Sequence, residues 1–188
     1  MNMQEYLEKS GRTTATPEPV RKDIFPVDGA LAFELINLVV SGHSADLTKR
    51  GLFYKEPMAR LHQRADGFKA TVEPMYNAAK AVEATRTFTE EQINIIHAAL
   101  GLISEAGEVL EEVVKSFLEQ RPMDTGNLQE EGGDSMWYLA LLLRTLKTNF
   151  ETEGERNIKK LEKRYPEKFT TEAALNRDLA GEKEVLSA

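Results

Sequence analysis

The sequence predicts an all-α protein, and three observations support this fold class. Apolar residues recur at helical spacing along much of the chain, the alternation typical of strands is weak, and helix-start signals precede the longest periodic runs. Thr89 followed by Gln92 has the pattern of a capping box. At 188 residues the chain has room for one domain, or for one domain with an extension. We therefore expect a bundle of helices with a substantial buried core.

The N-terminal part is expected to hold extra helices. Residues 1–28 are polar and proline-containing, and we interpret them as an arm or a loosely packed segment. Ala30 to Val40 is apolar and predicts a buried helix that Ser41-Gly42 would end.

A second N-terminal helix is indicated by Pro57, which suits a first helical turn. Pro74 marks an expected boundary, and Met75 to Ala84 predicts a further helical stretch. We divide the chain into an N-terminal helical extension, residues 1–85, and a second domain, residues 86–188.

The helix signals are clearest in the second domain. A long helix is predicted from about Glu90 to Leu118, and Asn127 with Glu130 indicates the cap of the next, from about Leu128 to Lys147. A third begins near Glu151 and stops before Pro166, because the residue before proline avoids helical geometry. Thr170 is predicted to cap a last short helix that ends near Gly181.

Composition excludes several classes of function. The 31 Asp and Glu residues outnumber the 24 Lys and Arg residues, and a net charge of −7 argues against a nucleic-acid partner. Cysteine is absent, which excludes disulfides, zinc–thiolate sites and iron–sulfur clusters. No uninterrupted apolar run approaches the roughly 18 residues of a membrane span, so we expect no membrane partner and a cytoplasmic location.

Acidic residues form the most informative pattern. Glu105 and Glu108 lie in one predicted helix and Glu131 and Asp134 in the next, each pair at spacing i, i+3 on one helix face. A short connection makes the two helices antiparallel neighbours, so four carboxylates can face one space. Such a cluster requires cations in a low dielectric, and Mg²⁺ fits hard oxygen donors, with Mn²⁺ as a substitute. At this acid content the spacing alone arises about once by chance, and its alternative is a solvated face.

The surroundings of these acids favour a site over a solvated face. A narrow arc of the first helix carries both acids and borders an apolar stripe; the arc consists of His97, Gly101, Glu105, Glu108 and Glu112. In the second helix, residues 136–143 are apolar nearly all round, which predicts a buried helix with Glu131 and Asp134 at its start.

A basic face lies further along the chain. Asn157, Lys160 and Arg164 are spaced i, i+3, i+7 and share one side of a helix. Beside an acidic metal site, such a face would hold the oxygens of a polyphosphate. The alternative is a solvated face paired with neighbouring glutamates.

At these residues the sequence resembles the MazG-like family of all-α nucleoside triphosphate pyrophosphohydrolases. The resemblance rests on HAALGLISEAGEVLEEV (97–113) and NLQEEGGDSMWYLALLL (127–143). ERNIKKLEKRYPEKF (155–169) and AALNRDLAGE (173–182) look like the phage and prophage branch. The family's usual ELGD appears here as Glu131-Gly132-Gly133-Asp134, which suggests a looser helix start or a close approach of the backbone to another group.

The resemblance implies Mg²⁺-dependent cleavage of a nucleoside triphosphate into a monophosphate and pyrophosphate. It places Glu105, Glu108, Glu131 and Asp134 as metal ligands, and it matches Asn157, Lys160 and Arg164 with positions that hold phosphates or sugar. For the general base that takes the proton of the attacking water, Glu108 and Glu112 are the candidates. His97 is a candidate contact for base or sugar, the alternative being a packing residue.

Two other classes of protein stay open. One is a non-catalytic helical interaction or nucleotide-binding protein with a degenerate site, which the intact acid set argues against. The other is a di-iron bundle, which uses Glu-x-x-His pairs, and neither acid pair here has a histidine at that spacing. Because a helical hairpin with one broad apolar face needs a partner surface, we expect a homodimer or a dimer of dimers.

Overall fold

The structure, a computed structural model, describes residues 1–13, 29–81 and 87–187. This part of the chain contains helices and no strand, which confirms the all-α class with extra N-terminal helices. The elements are α1 (Met3–Ser10), a 3₁₀ turn (Gly11–Thr13), α2 (Gly29–Phe53), α3 (Met58–Ala79), α4 (Glu90–Glu119), α5 (Thr125–Thr145), α6 (Phe150–Arg164), α7 (Thr171–Leu175) and α8 (Leu179–Ser187).

The chain divides into two compact units. One combines Met1–Glu18 with Phe88–Glu155, and the other combines Pro19–Thr87 with Arg156–Ala188. We call them the first and the second unit. The sequence-based division at residue 85 stays a prediction.

The long helical hairpin of the first unit is formed by α4 and α5. The predicted capping box at Thr89 is present, since its side chain accepts from the backbone of Gln92 and the Gln92 side chain accepts from the backbone of Thr89. The start predicted for α5 was too late: the cap is Asp124, whose carboxylate accepts from the amides of Gly126 and Asn127. Asp124 was overlooked because it follows Pro122 in the connection between the two predicted helices.

The close approach of α5 to α4 at Tyr138 requires a glycine at position 101. A Cβ added at Gly101 would lie 2.1–2.3 Å from ring atoms of Tyr138. The ring therefore occupies the space that any larger residue at position 101 would need. Gly132 and Gly133 differ in this respect, because a Cβ at either would meet nothing within 4 Å, and both lie inside a regular helix. The looser helix start suggested for this glycine pair is not seen. The Tyr6 hydroxyl does approach the backbone, 3.4 Å from the Gly133 carbonyl, but this contact does not require a glycine.

The N-terminal residues also differ from the arm expected of them. Residues 3–10 form α1, with a capping box between Asn2 and Glu5. Residues 14–28 of the expected arm lie outside the described residues.

In the second unit, α2 and α3 pack around Ile36, Val72 and Ala79. Ser41-Gly42 does not end the first of these helices, since the Ser41 hydroxyl donates to the Asn37 carbonyl and the helix continues to Phe53.

The boundary expected at Pro74 is also absent, because this proline lies inside α3. An interior proline costs about 3 kcal/mol. Val72 and Ala79 are buried on either side of it, and we infer that their packing offsets the cost.

The C-terminal elements agree largely with expectation. Helix α6 ends at Arg164, before Pro166, and Thr170 caps α7 by accepting from the amide of Ala173. Two short helices follow Thr170 where one was predicted, because the chain leaves helical geometry at Asn176 (φ −112°, ψ 64°) before α8 begins.

Helix α4 is long and apolar enough, by length and composition only, to cross a membrane. One such helix is weak evidence for a span, because core helices of soluble proteins have similar length and composition. This helix also contains Glu105, Glu108, Glu111 and Glu112.

Candidate functional site

Three of the four predicted metal-ligand carboxylates converge in the first unit. Glu105 of α4 and Glu131 and Asp134 of α5 each offer an oxygen, and these oxygens all lie within 4.8 Å of one another. Glu105 and Glu131 are 8% and 5% exposed, whereas Asp134 is exposed. The cluster therefore has a buried floor and one solvent-facing edge. We call these three residues the acidic cluster.

The electrostatics of the acidic cluster are unfavourable for full ionisation. Burial, a hydrogen bond with Glu131 and the charges of Glu108, Glu131 and Asp134 together raise the pKa of Glu105 to about 7. Among the described residues, the side-chain amide of Asn127 donates to Glu131 at 2.7 Å, and no Lys or Arg forms an ion pair with any of the three. A cation would relieve this repulsion.

Glu108 lies beside the acidic cluster rather than in it. Its charge contributes to the raised pKa of Glu105, and its exposed carboxylate accepts from the Ser104 hydroxyl at 3.3 Å. The carboxylate is therefore close to the cluster, and within the described ranges a single long hydrogen bond holds it.

Glu112 binds groups of the loop between α4 and α5 and not the acidic cluster. Both of its oxygens accept from the Arg121 guanidinium at 2.7 Å, and one also accepts from the backbone amide of Asp124 at 2.6 Å. These hydrogen bonds lower the pKa of Glu112 to about 2. The side chain thus fastens the loop between α4 and α5, and a carboxylate so acidic is a weak base. No local pattern in the sequence indicates this role, because Arg121 lies in a loop.

His97 packs among aromatic rings. Its ring centroid lies 5.9 Å from that of Trp137 and 5.8 Å from that of Tyr138, both edge-on. Its proposed contact with a base or sugar stays a prediction.

The basic face lies on α6, in the second unit. Asn157 is exposed, Lys160 is half-buried, and Arg164 is bound by a carboxylate that the sequence had not indicated. Arg164 donates to both oxygens of Glu182, at 2.8 and 2.6 Å, and Arg177 donates to the same two oxygens.

The shared carboxylate of Glu182 is buried, at 3% exposure. Hydrogen bonds from Arg164 and then Arg177 lower its pKa to about 2. Two guanidinium groups therefore meet one carboxylate, with a net positive charge. Part of this arrangement could be seen in the sequence, because Arg177 and Glu182 stand five positions apart in AALNRDLAGE. The contact with Arg164 depends on the fold.

The donors of the acidic cluster suit a hard divalent cation. Carboxylate oxygens are the ligands that Mg²⁺ and Mn²⁺ prefer, and an incomplete protein shell leaves positions for water or phosphate oxygens. The buried floor and the raised pKa of Glu105 agree with a site that gains from a cation.

Comparison with known proteins agrees with this site. Residues 95–169 match the family model of the MazG nucleotide pyrophosphohydrolase domain. The Gene 37 protein of Mycobacterium phage L5 is 36% identical over 72 residues, which cover 36% of this chain and 63% of the phage protein. The match thus spans less than two thirds of that relative's length. A phage relative fits the phage branch expected from the motifs. No solved structure matches significantly.

The matched range contains the acidic cluster, Glu108, Glu112 and the basic face of α6. The resemblance found in the sequence is confirmed over these residues. Residues 95–169 thus match the MazG nucleotide pyrophosphohydrolase domain, over less than half of the chain.

Proposed function

We propose that the protein is a Mg²⁺-dependent nucleoside triphosphate pyrophosphohydrolase that converts an NTP or dNTP into the monophosphate and pyrophosphate. The observation that carries the proposal is the convergence of Glu105, Glu131 and Asp134, two of them buried, within the matched domain. A house-cleaning or nucleotide-pool role in the cytoplasm is the setting that we propose for this activity.

The acidic cluster would hold Mg²⁺, or Mn²⁺ as a substitute, between α4 and α5. The bound ion would neutralise part of the triphosphate charge and acidify water at the site. Glu105 and Glu131 would hold it from the buried floor and Asp134 from the exposed edge. Glu108 is proposed as a further ligand or as the base, since it is adjacent and only weakly bonded.

The proposed reaction is in-line attack of water on the α-phosphorus. The Glu108 carboxylate accepts the proton of the attacking water, the new bond forms between water oxygen and phosphorus, and the bond to the bridging oxygen breaks. Pyrophosphate leaves with the electron pair of that bond. We favour Glu108 over Glu112 as the base, because Arg121 and the Asp124 amide occupy both oxygens of Glu112.

Asn157, Lys160 and Arg164 are proposed to bind the phosphates or the sugar, and His97 the base or sugar. Their positions in the family motifs support this assignment for α6. For Arg164, the bonds with Glu182 fix the guanidinium through two of its nitrogens. A guanidinium fixed in this way loses less conformational entropy when it binds a phosphate oxygen.

We also propose that two copies of the chain associate through α4. The C-terminal half of this helix exposes large apolar side chains: Leu110 is 65% exposed, Val114 52%, Phe117 79% and Leu118 71%. A contiguous apolar surface of this kind marks an association site. We expect light scattering to give a dimer or a dimer of dimers for the wild type and a smaller species for Phe117→Glu, and a monomeric wild type would contradict the proposal.

Product analysis with a panel of NTPs and dNTPs tests the activity. We expect monophosphate and pyrophosphate in Mg²⁺, no turnover in EDTA, and a loss of at least about 100-fold in kcat/KM for Glu131→Gln, since it removes a charged ligand. Glu130→Gln is the matched control, because Glu130 is the exposed neighbour on the same helix. Products other than pyrophosphate, or full activity of Glu131→Gln, would contradict the proposal.

A non-catalytic nucleotide-binding protein is distinguished in the same experiment. Such a protein would bind nucleotide without turnover in any metal. Tight iron binding with no hydrolysis would instead favour the di-iron class.

A further inference from the structure

Helix α1 lies outside the matched residues 95–169, yet it packs on the helix that supplies two of the cluster acids. The indole nitrogen of Trp137 donates to the Thr13 hydroxyl at 2.6 Å. The Arg144 guanidinium donates to the Leu7 carbonyl at 3.0 Å and also to the Ser10 hydroxyl. Contacts spread along α5 thus fix the position of α1 within the first unit.

This docking brings Tyr6 to the exposed edge of the acidic cluster. Its hydroxyl lies 3.4 Å from the carbonyl oxygen of Gly133, the residue before Asp134, and its ring meets Phe150 edge-on with centroids 6.4 Å apart. Burial and then the negative charge of Asp134 raise the pKa of Tyr6, so the hydroxyl keeps its proton and acts as a donor.

The hydrogen bond of this hydroxyl is a weak one. Good O–H···O bonds measure about 2.5–3.0 Å, and a contact of 3.4 Å to a helix carbonyl is easily exchanged for a better acceptor. A phosphate or sugar oxygen held at the Asp134 edge would be such an acceptor, because bonds to charged oxygens are stronger than bonds to a neutral carbonyl.

We propose that Tyr6 is a substrate-binding residue whose hydroxyl donates to an oxygen of the nucleotide at the Asp134 edge of the acidic cluster. The N-terminal helix thereby becomes part of the nucleotide site. This inference rests on the proposed function, since it needs a nucleotide bound beside the acidic cluster.

Tyr6→Phe tests the inference, because it removes the hydroxyl and keeps the ring contact with Phe150. The probes are the four common NTPs, the four common dNTPs and dUTP, each with Mg²⁺, and the kinetics are measured on whichever the wild type hydrolyses fastest. We expect KM to rise about tenfold with kcat within about twofold, as for the loss of one hydrogen bond to a charged oxygen that acts in binding. The melting temperature should stay unchanged, which a purely structural role would not predict.

Tyr54→Phe is the matched control, because it removes a phenolic hydroxyl in the second unit. We expect its KM to equal that of the wild type. An active Tyr6→Phe with unchanged KM, or with a lowered melting temperature as its only defect, would overturn the inference and leave the proposed function intact. A wild type that hydrolyses none of the NTPs and dNTPs in the panel would overturn the proposed function, and this inference with it.

Discussion

Buried carboxylates occur in two contrasting settings in this chain. Glu112 and Glu182 each accept hydrogen bonds from arginine, and these bonds lower the pKa of each carboxylate to about 2. Glu105 and Glu131 are as deeply buried, but their charged neighbours are acids, and the pKa of Glu105 rises to about 7.

The difference shows which carboxylates serve the fold and which are available for a ligand. An arginine-bound carboxylate is already compensated, so it holds elements together, as Glu182 holds Arg164 and Arg177. A carboxylate buried among acids costs stability until a cation arrives. We infer that the acidic cluster lowers the stability of the metal-free chain and that binding of a cation restores it.

The largest difference between the acidic cluster and the arginine-bound carboxylates should appear when a divalent cation binds, because only the cluster should gain stability from it. Mg²⁺ at about 100 times its dissociation constant should raise the free energy of unfolding by about 2.7 kcal/mol, because it binds the folded chain only. The measurement is thermal or urea unfolding in Mg²⁺ and in EDTA. Glu131→Gln should lose the stabilisation, and Glu182→Gln should keep it. Equal Mg²⁺ stabilisation of the wild type and Glu131→Gln would place the cation elsewhere.

A somewhat smaller effect is expected at the arginine-bound carboxylate. Glu182→Gln should lower the free energy of unfolding by about 2 kcal/mol, since it leaves two guanidinium groups around a neutral amide. Urea unfolding measures the change, with Glu184→Gln, an exposed position on the same helix, as the control. If both variants unfold at the same urea concentration, the Glu182 carboxylate contributes nothing beyond an ordinary surface residue.

The acidic cluster was predictable from the sequence because it depends on residue spacing within two helices that are adjacent in the chain. Spacing of i, i+3 places each acid pair on one helix face, and a connection of a few residues makes the two helices neighbours. The convergence of Glu105, Glu131 and Asp134 follows from those two facts. The same periodicity put Glu112 on the site-facing arc, but periodicity contains no information about Arg121, which turns back from the loop to bind it.

Contacts between residues that lie far apart in the chain could not be predicted from the sequence. Tyr6 and Gly133 are 127 positions apart, and Thr13 and Trp137 are 124 apart. No local pattern in a polar N-terminal segment marks it as the neighbour of a helix so far along the chain. The close approach at Gly101 was missed for the same reason, since it depends on where Tyr138 lies.

The smallest expected effect is the pH dependence of the free energy of unfolding. It is also the most specific effect, because the acidic cluster and the arginine-bound carboxylates titrate in different pH ranges. A carboxyl whose folded-state pKa is raised binds its proton more tightly in the folded chain than in the unfolded chain. The metal-free protein should therefore lose stability as pH rises from about 4.5 to about 7, through the range between the ordinary and the raised pKa of Glu105. After allowance for solvent screening, the loss should be about 1 kcal/mol.

Glu112 and Glu182 behave in the opposite sense, since a lowered pKa gives stability that is lost only as pH falls from about 4.5 to about 2. Urea unfolding in EDTA at pH 5, 6, 7 and 8 therefore isolates the acidic cluster. Glu105→Gln should remove the decline and be the more stable protein at pH 8. Identical pH dependence in the two proteins would mean that Glu105 ionises normally. The cluster would then be a solvated group of acids with no need of a cation.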